Sequence, residues 1–95
     1  MAENNPKARS YFSEDRPEPA PRLEPAQCRA ARGLLDWTQE QLAERAGVSR
    51  STVRDFEAGK HDLHRASDAQ IVRAFNEAGV IMIGPCGQGV GVVLA

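Results

Sequence analysis

Between residues 49 and 54 the chain reads Ser49-Arg50-Ser51-Thr52-Val53-Arg54, two arginines and three short hydroxyls without an acid. Charged residues make up 26% of the sequence and nearly balance at a net charge of -1, so an acid-free stretch of this kind needs a reason. Arg50 and Arg54 are i, i+4 neighbours and share one face if the stretch is helical. A guanidinium presents two parallel N–H donors, which guanine O6 and N7 accept, and short hydroxyls reach base edges or phosphates. The chemistry on offer is recognition of nucleic acid by local placement. A pI near 6.1 supplies no general basic field for non-specific attraction.

Other candidate chemistry is weaker. Gly84-Pro85-Cys86-Gly87-Gln88-Gly89 is glycine-rich, but no helix follows it and no lysine closes it, so it is not a phosphate-cradling loop. Cys86 has no histidine nearby in sequence to activate it. His61 and His64 could touch a metal, but only Asp62 stands beside them, and lone loop histidines are more often solvated. Cys28 and Cys86, with no Cys/His cluster nearby, argue against a disulfide framework and a structural zinc site; they read as reduced thiols, with a single bridge between them as the alternative. The expectation is no catalysis, no metal and no cofactor.

The elements that would position the arginines are heavily punctuated. Cys28, Ala31 and Leu35 form one apolar stripe of a first helix. Thr38 is a natural N-cap for a second, with Gln41 completing a capping box and Trp37 and Leu42 placed as a hydrophobic staple. That helix runs to Ala46 and stops at Gly47. Ser49 caps a third helix, with Val48 and Val53 as staple, and Gly59 ends it. Ser67, with Gln70 three residues on, reads as the cap of a fourth helix, in which Ile71, Phe75 and Ala78 share a face before Gly79.

Outside residues 26–79 the composition changes. Residues 1–25 hold Pro6, Pro17, Pro19, Pro21 and Pro25, five of the six prolines. They read as a disordered or extended Pro-rich arm. Its basic and acidic residues balance, which suits a solvated tail better than a DNA-gripping one, although Tyr11-Phe12 could dock on a partner. Residues 80–95 read as a β-hairpin. Val80, Ile81, Met82 and Ile83 form one apolar run and Val92, Val93 and Leu94 another, around Gly/Pro turn material. Neither run alternates with polar residues, so both faces want cover: the fourth helix on one, a second subunit on the other. The hairpin is therefore expected to be a dimerisation element. No stretch is apolar and long enough to span a membrane, and no secretory signal is visible, which leads to an expected cytoplasmic location.

Two short helices joined at a glycine turn make a helix-turn-helix. Ala43 must be small where the helices cross, and Leu42, Ala46, Val48, Val53 and Phe56 must face inward. With these positions filled, Thr38 through Ser49, Val53, and Phe56-Glu57-Ala58-Gly59-Lys60 resemble the Cro/CI-type (XRE) helix-turn-helix family of bacterial and phage regulators. The resemblance covers roughly residues 26–79. It implies a mainly α fold, a four-helix lambda-repressor-like domain followed here by the C-terminal hairpin.

The resemblance also assigns roles. The third helix would enter the major groove, with Arg50, Ser51 and Asp55 at base-reading positions, Thr52 and Arg54 beside them, and Ser49 at the start. Asp55 departs from the amide or basic residue often found there. It would accept from a cytosine amino group, or orient Ser51 and Arg54. Thr38 and Gln39 lie at the second helix's N-terminus, which attracts anions, and family members use the glutamine to clamp a phosphate. Lys60 and His61 resemble a second clamp, with Arg65 adding to it. Arg32 and Glu57 match a family ion pair tying the first helix to the third. The implied function is a sequence-specific transcriptional regulator, a repressor on a mobile element, binding double-stranded DNA at an inverted-repeat operator as a homodimer. The chain's end soon after the fourth helix leads to the expectation of no effector domain and of action by occupancy. The alternative is an antitoxin or other protein-binding partner that engages a second protein through residues 1–25.

Overall fold

The computed structural model describes residues 22–86 and 89–95, with backbone alone at Pro85 and Cys86. Residues 1–21, and with them Tyr11-Phe12 and most of the arm, lie outside the described residues. Four helices precede a two-stranded antiparallel sheet: α1 Pro25–Leu35, α2 Gln39–Ala46, α3 Arg50–Glu57, α4 Arg65–Glu77, β1 Val80–Cys86 and β2 Gly89–Leu94.

The caps of the central pair are local chemistry. Thr38 Oγ1 accepts from Gln41 N at 3.0 Å, and Gln41 Oε1 accepts from Thr38 N at 2.9 Å, so two otherwise orphaned amides are satisfied reciprocally. Gly47 takes φ 73°, a left-handed turn that L side chains resist, and its N–H closes onto Ala43 O. Ser49 Oγ accepts from Thr52 N at 3.0 Å to open α3. The two helices thus meet at a fixed angle over Leu42, Ala43, Ala46, Val53 and Phe56, all buried. Trp37 stacks on Phe75 with ring centroids 5.9 Å apart, and the Arg45 guanidinium covers the Trp37 ring at 4.7 Å.

Three boundaries differ from the sequence reading. The folded body begins before residue 26: Leu23 is buried, its N–H donates to Asp68 Oδ2 at 3.0 Å, and Arg22 donates to Leu63 O. Pro25 then opens α1, where its missing N–H costs nothing. Ser67 is not the cap of α4. The helix starts at Arg65 after His64, whose side chain makes no capping bond. The cause is tertiary. Leu63 is buried and its carbonyl is held by Arg22, so the chain turns into the helix at once, and Asp68 N bonds His64 O. The hairpin strands also extend further into the expected turn. Gly84 at φ 87° and Gly89 at φ 102° bracket a register shift between Ile83 and Cys86 that lets the pairing continue.

The hairpin's inner face is part of the core. Val80 is fully buried and Met82 and Val92 pack against the helices, with α1 as well as α4 providing the cover. Gln27, also buried, fastens this contact. Its amide Nε2 donates to Ile83 O and Gly91 O, both at 3.0 Å, while Oε1 accepts from Glu24 N. Paired residues share a face, so Ile81, Val93, Ile83 and Gly91 form the opposite one. There Ile81, Ile83 and Val93 stand exposed.

Candidate nucleic-acid interface

The interface is built outward from one buried carboxylate. Glu57, the last residue of α3, is 5% exposed. Arg32 of α1 grips it side-on, Nε to Oε2 at 2.8 Å and Nη2 to Oε1 at 2.7 Å. Arg32 Nη1 also donates to Trp37 O at 2.9 Å, so the guanidinium ties α1, the α1–α2 corner and α3 together. Gln39, first residue of α2, donates its amide to Glu57 Oε1 at 2.9 Å. Burial pushes the Glu57 carboxyl upward. Hydrogen bonds from Arg32, the Cys28 thiol and Gln39 more than offset this and hold it below the usual carboxylate range. The bond to Glu57 in turn raises Arg32. Burial, reinforced by Glu57, pushes the Cys28 thiol far above its ordinary value, so it stays protonated.

This frame presents two clefts. One is lined by Arg32, Thr38, Gln39, Glu40 and Arg50. It joins the α2 N-terminus, with its free amides and positive dipole end, to the first residue of α3. Gln39 spends one N–H on Glu57, which leaves its amide a second N–H and a carbonyl for another partner. The second cleft is lined by Ser51, Thr52, Asp55, His61, Asp62, Leu63, His64 and Ser67, between α3 and the loop that follows it. Ser49, Arg50, Ser51 and Arg54 are exposed, and Thr52 and Asp55 half-buried.

The predicted residues thus fall into groups. Arg32 and Glu57 meet as an ion pair, with Gln39 on the same carboxylate. Arg50 sits with the α2 N-terminus. His61 shares the second cleft with Ser51, Thr52 and Asp55. Lys60 and Arg65 are exposed, but line neither cleft. Of the two alternatives for Asp55, one half is realised: Arg54 Nε donates to Asp55 Oδ1 at 3.1 Å, whereas the Ser51 hydroxyl turns to Ser49 Oγ at 3.2 Å. The Arg54 charge is thereby partly matched, while Arg50 lines its cleft beside Gln39. Among the described residues no group of His, Cys, Asp or Glu is placed to hold a metal ion.

Two contributors escaped sequence reasoning. Arg29 Nη1 donates to Glu57 O at 2.6 Å, fastening the end of α3 to α1. The Cys28 thiol donates to the Glu57 carboxylate. Arg29 lies three residues before Arg32, on the same side of α1, and that spacing was the available signal. Cys28 was visible only as an apolar stripe residue, because a thiol and a methyl look alike in a hydrophobic pattern.

Residues 29–66 match a family model described as Helix-turn-helix. The match runs from within α1 to the second residue of α4 and contains the whole α2–turn–α3 unit; the rest of α4 and the hairpin lie outside it. No curated protein matches the chain.

Proposed function

We propose, from the membership of residues 29–66 in the Cro/CI-type helix-turn-helix family, that this DNA-binding regulator is a repressor. It occupies an inverted-repeat operator as a homodimer and reads it with α3 in the major groove. The observation that carries the reading is the outward side of α3. Arg50, Ser51 and Arg54 project from it, its one acid is engaged by Arg54, and its far end is locked to α1 through Glu57. A helix fixed at its C-terminal end, with free donors at its N-terminal turns, suits insertion N-terminus first.

The dimer is supported by the hairpin's outer face. Ile81, Ile83 and Val93 are 40–49% exposed on a two-stranded sheet with open edges, a surface that a second copy would cover. One helix-turn-helix reads only a few base pairs. Two related by a two-fold axis would read half-sites about 10 bp apart, or a multiple of that. Footprinting on DNA selected by the purified protein tests this: the expected result is a protected inverted repeat. Protection of a single unrepeated half-site would overturn it. Removing the hairpin is a poor test of dimerisation, because Val80 belongs to the core. Ile81→Asp on the outer face is the better variant. It should leave a folded monomer with much lower operator affinity.

A further inference from the structure

Asp55 is an acid where neither its helix nor DNA favours one. It lies in the last turn of α3, at the negative end of the helix dipole. It also lines the cleft with Ser51 and Thr52, on the side read as meeting the phosphates of a groove. Its ion pair does not offset this through stability. Arg54 Nε reaches Asp55 Oδ1 at 3.1 Å, but the two side chains are 55% and 25% exposed, and a solvated pair of this kind contributes little.

What the pair does decide is which atoms stay free. Holding Arg54 by Nε leaves the Nη1/Nη2 end of its fork, two donors in one plane. Holding Asp55 by Oδ1 leaves Oδ2 as an acceptor. The Ser51 hydroxyl, which could have taken that oxygen, turns to Ser49 instead. Among the described residues neither free end has a hydrogen-bond partner. Arg32 is the contrast: it spends Nε and Nη2 on Glu57 and Nη1 on Trp37 O, so every nitrogen of its fork is engaged. Side by side, Arg54 and Asp55 offer donor, donor, acceptor. In the major groove a G·C pair shows the complement in that order: guanine N7, guanine O6, then the N4 donor of cytosine. An A·T pair sets adenine N6–H against one arm of the fork and thymine O4 against the carboxylate. Shifting the unit to bring Oδ2 onto N6 would leave one arm without an acceptor. The same G·C pair read from the other strand presents the reverse order.

We infer that Arg54 and Asp55 act as one unit that reads a single G·C pair, the Nη1/Nη2 end of Arg54 donating to guanine O6 and N7 and Asp55 Oδ2 accepting from N4 of the paired cytosine. Asp55 is then a specificity residue in its own right and also the residue that aims the arginine fork. This rests on the reading of α3 as the base-contacting helix and adds the identity of one base pair.

The test uses the full-length protein and the duplex it selects from a random pool, remade with every single-pair change. Asp55→Ala removes an acid from beside DNA, so charge alone would tighten binding to every duplex by a similar factor. The unit requires the opposite on the selected duplex: affinity falls about ten-fold or more and discrimination at one G·C pair collapses, with the melting temperature unchanged. Arg54→Ala should lose discrimination at the same pair, and the double variant should bind no worse than the weaker single one. Replacing that guanine by 7-deazaguanine should weaken the unmodified protein but not Arg54→Ala. Methylating N4 of the paired cytosine should weaken the unmodified protein but not Asp55→Ala. Uniform tightening by Asp55→Ala, discrimination left intact in both variants, or discrimination lost at different pairs in the two would overturn the unit and leave the recognition helix standing. An unmodified protein that selects no sequence from the pool would overturn both.

Discussion

Arg32 and Glu57 meet side-on through two hydrogen bonds of 2.8 and 2.7 Å, joining the last turn of α1 to the last residue of α3. The Glu57 side chain is 3% exposed and that of Arg32 19%, so the pair is largely withdrawn from water. Removing one partner from such a pair leaves a buried charge unmatched. Arg32→Ala is expected to destabilise the domain by about 3 kcal/mol, toward the lower end of the usual range because Gln39 and Cys28 still contact the carboxylate. Replacing both residues with methionine should cost less than Arg32→Ala alone. Urea denaturation of the three proteins measures this.

The same carboxylate sets an acid limit. Glu57 is held below its ordinary value in the folded state. In the unfolded chain it titrates near 4.3. A folded pKa below the unfolded one contributes stability that is complete above the unfolded value and is lost as pH falls through the folded one. The urea midpoint should be insensitive to Glu57 between pH 7 and about 5 and decline below about 4.3. Glu57→Gln should flatten that decline, and an equally steep acid limb in the variant would remove Glu57 as its source.

Cys28 should be chemically silent while the protein is folded. Its side chain is fully buried, and burial with the Glu57 carboxylate beside it keeps the thiol protonated. Thiolate, not thiol, is the nucleophile. In a Cys86→Ser background, alkylation should be negligible in native buffer and become rapid with the urea unfolding transition. Rapid labelling of folded protein would show that α1 opens locally.

The two clefts predict different mutant behaviour on DNA. Arg50→Ala is expected to lose about 1–3 kcal/mol per half-site and to relax discrimination at one base pair. Gln39→Ala should weaken every sequence nearly equally, because phosphates carry no sequence. Affinities measured against a panel of single-base operator variants separate the two. Because Arg50 lines the same cleft as Gln39, a uniform loss in both would reassign Arg50 to the backbone.

Few basic residues face outward beside α3, so the salt dependence should be modest. At about 0.9 per phosphate contact, the slope of log affinity against log salt for a dimer is expected at roughly -4 to -7. Titrations from low to moderate salt give the slope directly, and a salt-insensitive complex would contradict binding through this face.

Local rules were enough for much of this protein. The Thr38–Gln41 box, the Gly47 turn and the Ser49 cap are contacts within a few residues, and the sequence alone determines them because each is closed by its own neighbours. The inward pattern from Leu42 to Phe56 likewise follows from helical period, and with it the outward set around Arg50. What no local rule contained was the start of α4, where a plausible cap at Ser67 was overridden by burial of Leu63 and the hold of Arg22. Nor could spacing show that Gln27 would reach Ile83 and Gly91, that Arg29 and Cys28 would converge with Arg32 on Glu57, or that Asp55 would choose Arg54 over Ser51. Those choices join residues distant in sequence, or select between equivalent neighbours. They are decided by which buried polar group lacks a partner once the helices have packed, a condition that exists only in the assembled fold.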